Sequence, residues 1–356
     1  MDNYSVLETI VHRDEPAVMA TLIGVKGHAY RKAGASMILW QDGRTTGSLS
    51  PGCLESDLKE RVHDLLAAGS CEIIDYNLNA GEDAVWGGSV GCGGSVRVLL
   101  EPVLAKLRGI MAAIYARVQS GGNVCLRRRF SGDALMYRLP GIPEDGAAIP
   151  FRSGIPESAE PFFDAVFKRP PRVIIFGAGD DSIPMVHLIR KIGFRVVVAD
   201  WRAGLCTEKR FQDVQFASGN PESIIEKLHP GSGDYAVICS HQLQRDREML
   251  ELLLPHRLRY VGILGSRARI DQLSEGLAIT SNVHSPVGLA IGAEGPEEIA
   301  VSIAAEIIAV KAGYDITVKK GAARNQSRRV VFGSWFQQKN GRDEAVARAV
   351  SRNNTR

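Results

Sequence analysis

The chain contains no C-x-x-C pair, no H-E-x-x-H and no visible internal repeat. Its six cysteines, Cys53, Cys71, Cys92, Cys125, Cys206 and Cys239, are scattered through 356 residues. A chain of that length builds a full core without a disulfide scaffold, so the thiols read as reduced and the protein as cytoplasmic. The opening MDNYSVLETIVHRDEP lacks a basic segment followed by an apolar one, so no secretory leader is expected. No apolar run reaches the ~20 residues that cross a bilayer, which argues against stable membrane insertion. The eight histidines show no metal-ligand spacing, and no metal site is expected. Net charge is only +3, and no nucleic-acid partner is expected. That charge is uneven. Residues 315–356 hold 10 Lys/Arg against 3 Asp/Glu, which leaves the rest of the chain net acidic. The basic end reads as a solvated extension, with an anion-binding arm as the alternative.

What is present is glycine at telling places. Residues 172–200 read RVIIFGAGDDSIPMVHLIRKIGFRVVVAD. A β-branched run stops at Gly177, a helical pattern follows, and a second run ends at Asp200. This is a βαβ unit, the start of a doubly wound parallel sheet. Gly177 permits the tight turn and Gly179 lets a pyrophosphate approach the backbone at a helix N-terminus. Asp200 lies 21 residues after Gly179, where an acid accepts from a ribose 2′-OH. Ser182 stands where the third fingerprint glycine belongs, and Asp180 and Asp181 put negative charge beside the turn.

The expected class is α/β: an N-terminal α/β domain followed by a C-terminal Rossmann-type doubly wound parallel sheet. Residues 1–105 form the first domain. Within it, residues 4–13 read as a helix, 17–25 as a strand, 36–40 and 45–49 as a hairpin, and 54–69 as a helix. Strands follow at 71–78 and 96–100. Residues 106–162 read as a connecting helix, a hairpin and a Pro/Gly/Glu-rich linker over 140–161. The Rossmann-type domain spans 163–312 and ends in a long helix with Glu297 and Glu298 in its first turn, where acids suit the dipole. Residues 313–356 form the basic extension.

Cys53 is the leading chemical candidate. It stands between Gly52 and a helix start, where a thiolate is favoured and is the reactive form. Ser48 and Ser50 can donate to an oxyanion. Glu55 is either a proton carrier or a favourable first-turn acid. Cys92 lies in a loop with five glycines over residues 87–94, a composition that suits close approach of a ligand. The other four cysteines read as core. At later strand ends, His241 is a candidate polar contact, and Gly265 and Ser266 form a second glycine turn able to hold a phosphate. The fingerprint alone also suits an NAD(P)-dependent oxidoreductase, although no Tyr/Lys or His/Asp/Arg set accompanies it.

Two groups of motifs resemble one family. GSLSPGCLESDL with GCGGSVRVLLEPV is similar to the N-terminal domain of the xanthine dehydrogenase accessory factor family (XdhC/CoxI). RVIIFGAG, SHQLQRD, YVGILGSRARI and PVGLAIGAEGPEEIAVSIAAEIIA are similar to its Rossmann domain. The resemblance covers roughly residues 1–105 and 165–312. It implies a chaperone-like maturation factor that binds molybdenum cofactor (molybdopterin) while a cysteine desulfurase supplies the terminal sulfur. The cofactor then passes to a xanthine dehydrogenase-type molybdenum hydroxylase. Carried over by motif, the site residues are Cys53 and Gly91-Cys92-Gly93, with the Gly177/Gly179 and Gly265-Ser266 turns in the Rossmann half. That half is expected to take the phosphate or nucleotide end of a ligand. Two positions depart from the family: Asp180 stands where His is common after the glycine turn, and Ser240-His241-Gln242 stands where Thr-His-Asp is common. A homodimer is the working expectation for the assembly.

Overall fold

The computed structural model describes residues 3–78, 94–141, 148–156 and 159–314. An antiparallel five-stranded sheet forms first, in the order β3-β2-β1-β5-β4. Its strands are β1 (Ala17–Gly27), β2 (Ser36–Trp40), β3 (Thr45–Gly47), β4 (Glu72–Asn77) and β5 (Gly94–Pro102). Both faces are buried, which explains why β1 reads as a nearly continuous apolar run. Val18, Ala20 and Leu22 point toward α2 (Cys53–Glu60) and α3 (Val62–Ala68). Ala17 and Met19 point the other way, toward α1 (Asn3–His12) and α4 (Ala105–Gln119). The helix expected over 54–69 is therefore two. The break falls at Arg61, which pairs with Asp57 and Glu72 and so links the helices to the start of β4. Gly69 ends α3 in the left-handed conformation that a helix C-terminus favours.

The segment expected as a hairpin and linker is a second antiparallel sheet. It runs β8-β7-β6-β9, from β6 (Val124–Ser131), β7 (Ala134–Arg138), β8 (Ile149–Pro150) and β9 (Phe162–Phe167). Residues 149–152 are tied to the first sheet, because Cys71 N–H donates to Pro150 O at 2.8 Å and Arg152 N–H donates to Cys71 O at 2.8 Å. Phe163, expected to open the second domain, pairs with Arg128 of β6 instead. Apolar residues of both sheets, α1 and α4 share one core. A two-residue strand and a strand with alternating exposure carry too little apolar signal to be read against a Pro/Gly-rich background.

The parallel sheet follows in the order β12-β11-β10-β13-β14-β15. Its strands are β10 (Arg172–Phe176), β11 (Arg195–Asp200), β12 (Gln215–Ser218), β13 (Tyr235–Ile238), β14 (Tyr260–Ile263) and β15 (Val283–His284). This is the doubly wound arrangement, whose order reverses between β10 and β13. Helices α6 (Pro221–Leu228), α7 (Leu243–Leu253) and α8 (Arg267–Ser274) cover one face. Helix α5 (Ser182–Lys191) packs on β10 and β11, and α9 (Gly295–Lys311) reaches β14 through a bond from Tyr260 Oη to Glu306. In the central strands β10, β11, β13 and β14, residues facing either way are buried, as a sheet sandwiched between helices requires. Residues 308–356 separate as a second unit, of which 308–314 are described, closed by Gly313 N–H to Val310 O at 3.0 Å. Residues 315–356, the expected basic extension, lie outside the described residues. Among the described residues, no helix is long and apolar enough to cross a membrane.

Candidate functional site

The chain between β3 and α2 folds around one hydroxyl. Ser50 Oγ accepts from Gly52 N–H at 3.1 Å and Leu54 N–H at 3.2 Å, and stands 3.5 Å from Cys53 Sγ. The same hydroxyl donates to Glu55, whose carboxylate also accepts from Leu49 N–H at 2.9 Å and Ser50 N–H at 2.8 Å. Orphan donors of the helix start and its approaching loop are thereby answered by two side chains. Gly52 takes φ 132°, and a Cβ there would meet nothing within 4 Å. The loop is thus held from below and open above. Cys53 sits at its exit as a half-buried free thiol at the first position of α2. Ser48 is half-buried and Ser50 buried. In this arrangement Glu55 serves as a brace for the loop, engaged by its own backbone.

The described residues on either side of the glycine-rich segment that contains Cys92 meet beside α2. Leu78 N–H donates to Gly94 O at 2.7 Å. A Cβ on Gly94 would come within 2.4 Å of His28 O, so only glycine lets β5 start there. Tyr76 donates its hydroxyl to Asp57 of α2. Cys53 packs against the same apolar cluster as Tyr76, Leu78 and Val96. The structure therefore brings Cys53, Leu78 and Val96 onto one cluster. Gly91, Cys92 and Gly93 lie outside the described residues. Nearby, Asn77, Ser95 and Arg97 of β4 and β5 help line a cavity of about 590 Å³ that Phe162 and Phe163 of β9 also line.

The second set of candidates gathers at the C-terminal ends of the parallel strands. Gly177, at φ 130°, lies against β13: a Cβ would sit 2.5 Å from Cys239 O. Its glycine is required by strand packing. A Cβ on Gly179 would meet Asp181 Oδ1 at 2.4 Å, because Asp181 folds back over the turn. Asp181 does not cap α5; its carboxylate meets His241 Nε2 at 2.7 Å, and His241 takes φ 61° at that place. Asp180 accepts from Arg210 Nη2 at 2.6 Å. Asp200 is fully buried. It accepts from Ala178 N–H at 2.7 Å, Arg202 N–H at 2.8 Å and the Arg202 guanidinium at 2.9 and 3.0 Å. Burial works to raise its carboxyl, but the Arg202 and backbone bonds outweigh burial and hold it below the usual carboxylate range. Asp200, expected to accept a ribose hydroxyl, thus has both oxygens engaged by its own chain. The acids at the turn are thus engaged internally, Asp180 by Arg210, Asp181 by His241 and Asp200 by Arg202.

Gly265 and Ser266 behave alike. A Cβ on Gly265 would meet Arg269 Cδ at 3.0 Å, and Ser266 Oγ caps α8 by accepting from Arg269 N–H at 3.4 Å. Arg269 reaches the buried Asp246 at 2.7 Å, and Asp246 in turn holds Ser240 at the tip of β13. The structure therefore joins Gly177, Gly179, Asp200 and His241 at one edge, and links Gly265 to it through Arg269, Asp246 and Ser240. Arg202 and Arg210 were not singled out from the sequence, although an arginine two residues past a strand-end acid is a readable signal. Burial pushes the Cys71 and Cys239 thiols upward, which fits their reading as core. Among the described residues, no group of three His, Cys, Asp or Glu side chains is placed to hold a metal ion.

Residues 10–77 match the XdhC and CoxI family, and residues 173–307 match the XdhC Rossmann domain. The chain is 34% identical over 317 residues to a probable xanthine dehydrogenase subunit of Bacillus subtilis (strain 168), covering 86% of this chain and 96% of that protein. It is 25% identical over 312 residues to the Molybdenum cofactor insertion chaperone PaoD of Escherichia coli (strain K12), covering 83% of each. A solved structure of a xanthine dehydrogenase from Bacillus halodurans is 36% identical, with a TM-score of 0.78 over 89% of this chain and 97% of that one. Both halves match in order, one relative matches along nearly its whole length, and a solved fold agrees: the chain belongs to the XdhC and CoxI family.

Proposed function

We propose that this protein is a cytoplasmic maturation factor that carries molybdenum cofactor as cargo for a xanthine dehydrogenase-type molybdenum hydroxylase. The observation that carries the reading is Cys53: a free, half-buried thiol at the first turn of α2, under a loop that is braced by Ser50 and Glu55 and open at Gly52. The likeness to a molybdenum cofactor insertion chaperone supports the same role. A thiolate is a soft ligand suited to a soft metal centre or to a sulfur held near it. The positive end of α2 favours negative charge at that position. Cys92, in the glycine-rich segment whose described neighbours meet beside α2, is proposed to face the cargo from the other side, with Gly91 and Gly93 giving its backbone room.

Sulfuration of the held cofactor by a cysteine desulfurase is part of the proposal. The Cys53 thiolate attacks the outer sulfur of the donor's persulfide, the S–S bond breaks, and the donor cysteine leaves as thiolate. In the Rossmann half, Gly177, Gly179, Gly265 and Ser266 are proposed to border the phosphate or nucleotide end of the cargo, in a homodimeric assembly. The nicotinamide oxidoreductase reading is less favoured, because Asp200 is engaged by Arg202 and Asp181 covers Gly179. The test is purification from a host that makes molybdenum cofactor. Mass spectrometry of released ligands is expected to find molybdopterin, and Cys53→Ala is expected to lose at least about tenfold in activation of an apo-hydroxylase, roughly the effect of losing one metal-shell ligand interaction. A Cys53→Ala protein that keeps the cofactor and activates normally removes Cys53 from the mechanism.

A further inference from the structure

The glycine turns occupy one end of the parallel sheet. At the opposite end, where β10 and β11 begin, a different feature stands out. Arg169, Arg172 and Arg195 converge there beside the end of α5, and α1 supplies the facing wall with Tyr4 and Glu8. Between them lies a groove of about 500 Å³. Not all of its cations are answered. Arg172 is paired with Asp234, its Nε at 3.1 Å and its Nη2 at 2.5 Å from the two carboxylate oxygens. Arg190 meets Asp213 at 2.8 Å. Arg169 instead reaches only Gln119 O at 3.4 Å, and its Nε is buried with no partner among the described residues. Arg195 reaches Pro170 O at 3.1 Å through Nε. Neither meets a carboxylate within salt-bridge distance among the described residues.

Crowding like charges into a half-buried groove is unfavourable unless something compensates them. Burial, Arg169 and Arg172 together push the Arg195 guanidinium down to about 10. The C-terminal carbonyls of α5 offer a partial negative charge of about half a unit, which offsets a fraction of one cation. Glu8 adds one exposed carboxylate on the far wall. Two guanidinium forks remain, and that planar donor geometry matches phosphate oxygens. The volume lies in the range of small-ligand sites and exceeds what a single phosphate fills.

We propose that this groove is a second anion site, separate from the glycine turns, and that it takes an oligophosphate through Arg169 and Arg195. Calorimetric titration of the full chain tests it, with inorganic pyrophosphate and ATP as separate probes. Both are expected to bind, each weakened about tenfold or more in Arg195→Gln and in Arg169→Gln, as loss of a charge-assisted bond implies. Tighter binding of ATP assigns a contribution to the nucleoside, and equal binding assigns recognition to the phosphates alone. Arg202→Gln, at the other end of the sheet, is expected to leave both affinities unchanged. Glu8→Gln changes an exposed side chain and is expected to tighten binding severalfold, which keeps the test open where an arginine variant does not fold. Failure of both probes to bind overturns the proposal. So does loss of binding in Arg202→Gln with retention in Arg195→Gln, or an unchanged affinity in Glu8→Gln. None of these outcomes bears on Cys53, so the groove and the cargo site stand or fall separately.

Discussion

Both oxygens of Asp200 are engaged within its own chain, by Ala178 N–H and by the backbone and guanidinium of Arg202. The carboxyl is held below its usual range, so its contribution to stability is present above the unfolded-state value and is lost as pH falls through the folded one. The unfolded chain takes up that proton first, and acid then favours unfolding. Asp200→Asn removes the linkage. Its urea-unfolding free energy is expected to fall less steeply than that of the unsubstituted protein as pH is lowered from about 5 toward 3, while lying below it near neutrality. Parallel acid limbs in the two proteins would contradict this account. The residue was legible in the sequence as a strand-end acid with an arginine two positions on, but the pairing of the two was not. Whether such an acid faces a ribose or its own neighbour depends on where the Arg202 side chain turns, and spacing carries no information about that.

At the scale of elements, α9 was readable from its first-turn acids and its apolar run, but the reason for one of its residues was not. Glu306 is fully buried on the face turned to the sheet. It accepts from Tyr260 Oη at 2.8 Å and Gly288 N–H at 2.6 Å, and lies 3.2 Å from His284 Nδ1. One helix residue thus holds β14, β15 and the segment after them together. Ser302, one turn earlier, donates to Leu289 O at 2.7 Å and fills the space that a Cβ on Gly288 would need. Glu306→Ala leaves the buried Tyr260 hydroxyl and Gly288 N–H without their acceptor and His284 without its partner, and is expected to cost about 3–5 kcal/mol. Hydrogen exchange should accelerate first at Gly288 and Leu289, before the amides of β10 and β11. Uniform acceleration across the sheet would show that Glu306 acts on the whole domain and has no local role. The helix start at Cys53 shows the opposite balance. Its serine, glycine and first-turn glutamate are local signals that mark the turn and the helix start, but Ser50, expected to donate to an oxyanion, gives its hydroxyl proton to Glu55 instead. The break at Arg61 was not legible, because it answers Glu72 on a strand that is distant in sequence.

For the whole molecule, the parallel sheet could be read because continuous β-branched runs have few other uses. The division of the first half could not. Residues 106–162 fold onto the N-terminal sheet and share its core, and the link is a charge where periodicity predicts an apolar residue. Arg128 lies at an inward position of β6, in the middle of Arg127-Arg128-Arg129, and is fully buried. Its Nε donates to both oxygens of Glu101 on β5, at 2.8 and 2.9 Å, and Tyr137 of β7 donates to the same carboxylate at 2.8 Å. The guanidinium Nη atoms have no partner among the described residues, so Glu101 alone compensates that charge. Glu101→Ala therefore leaves a buried cation unpaired, at an expected cost of about 3–5 kcal/mol. Glu101→Leu combined with Arg128→Met is expected to recover most of that loss, because apolar residues of similar volume avoid the desolvation of both ions. Because the pair joins two sheets over one core, Glu101→Ala should lower amide protection in β1, β5, β6 and β7 together and leave β10 and β13 unchanged. Loss confined to β6 and β7 would mean that the two sheets are stable independently, and that the pair merely fastens one to the other.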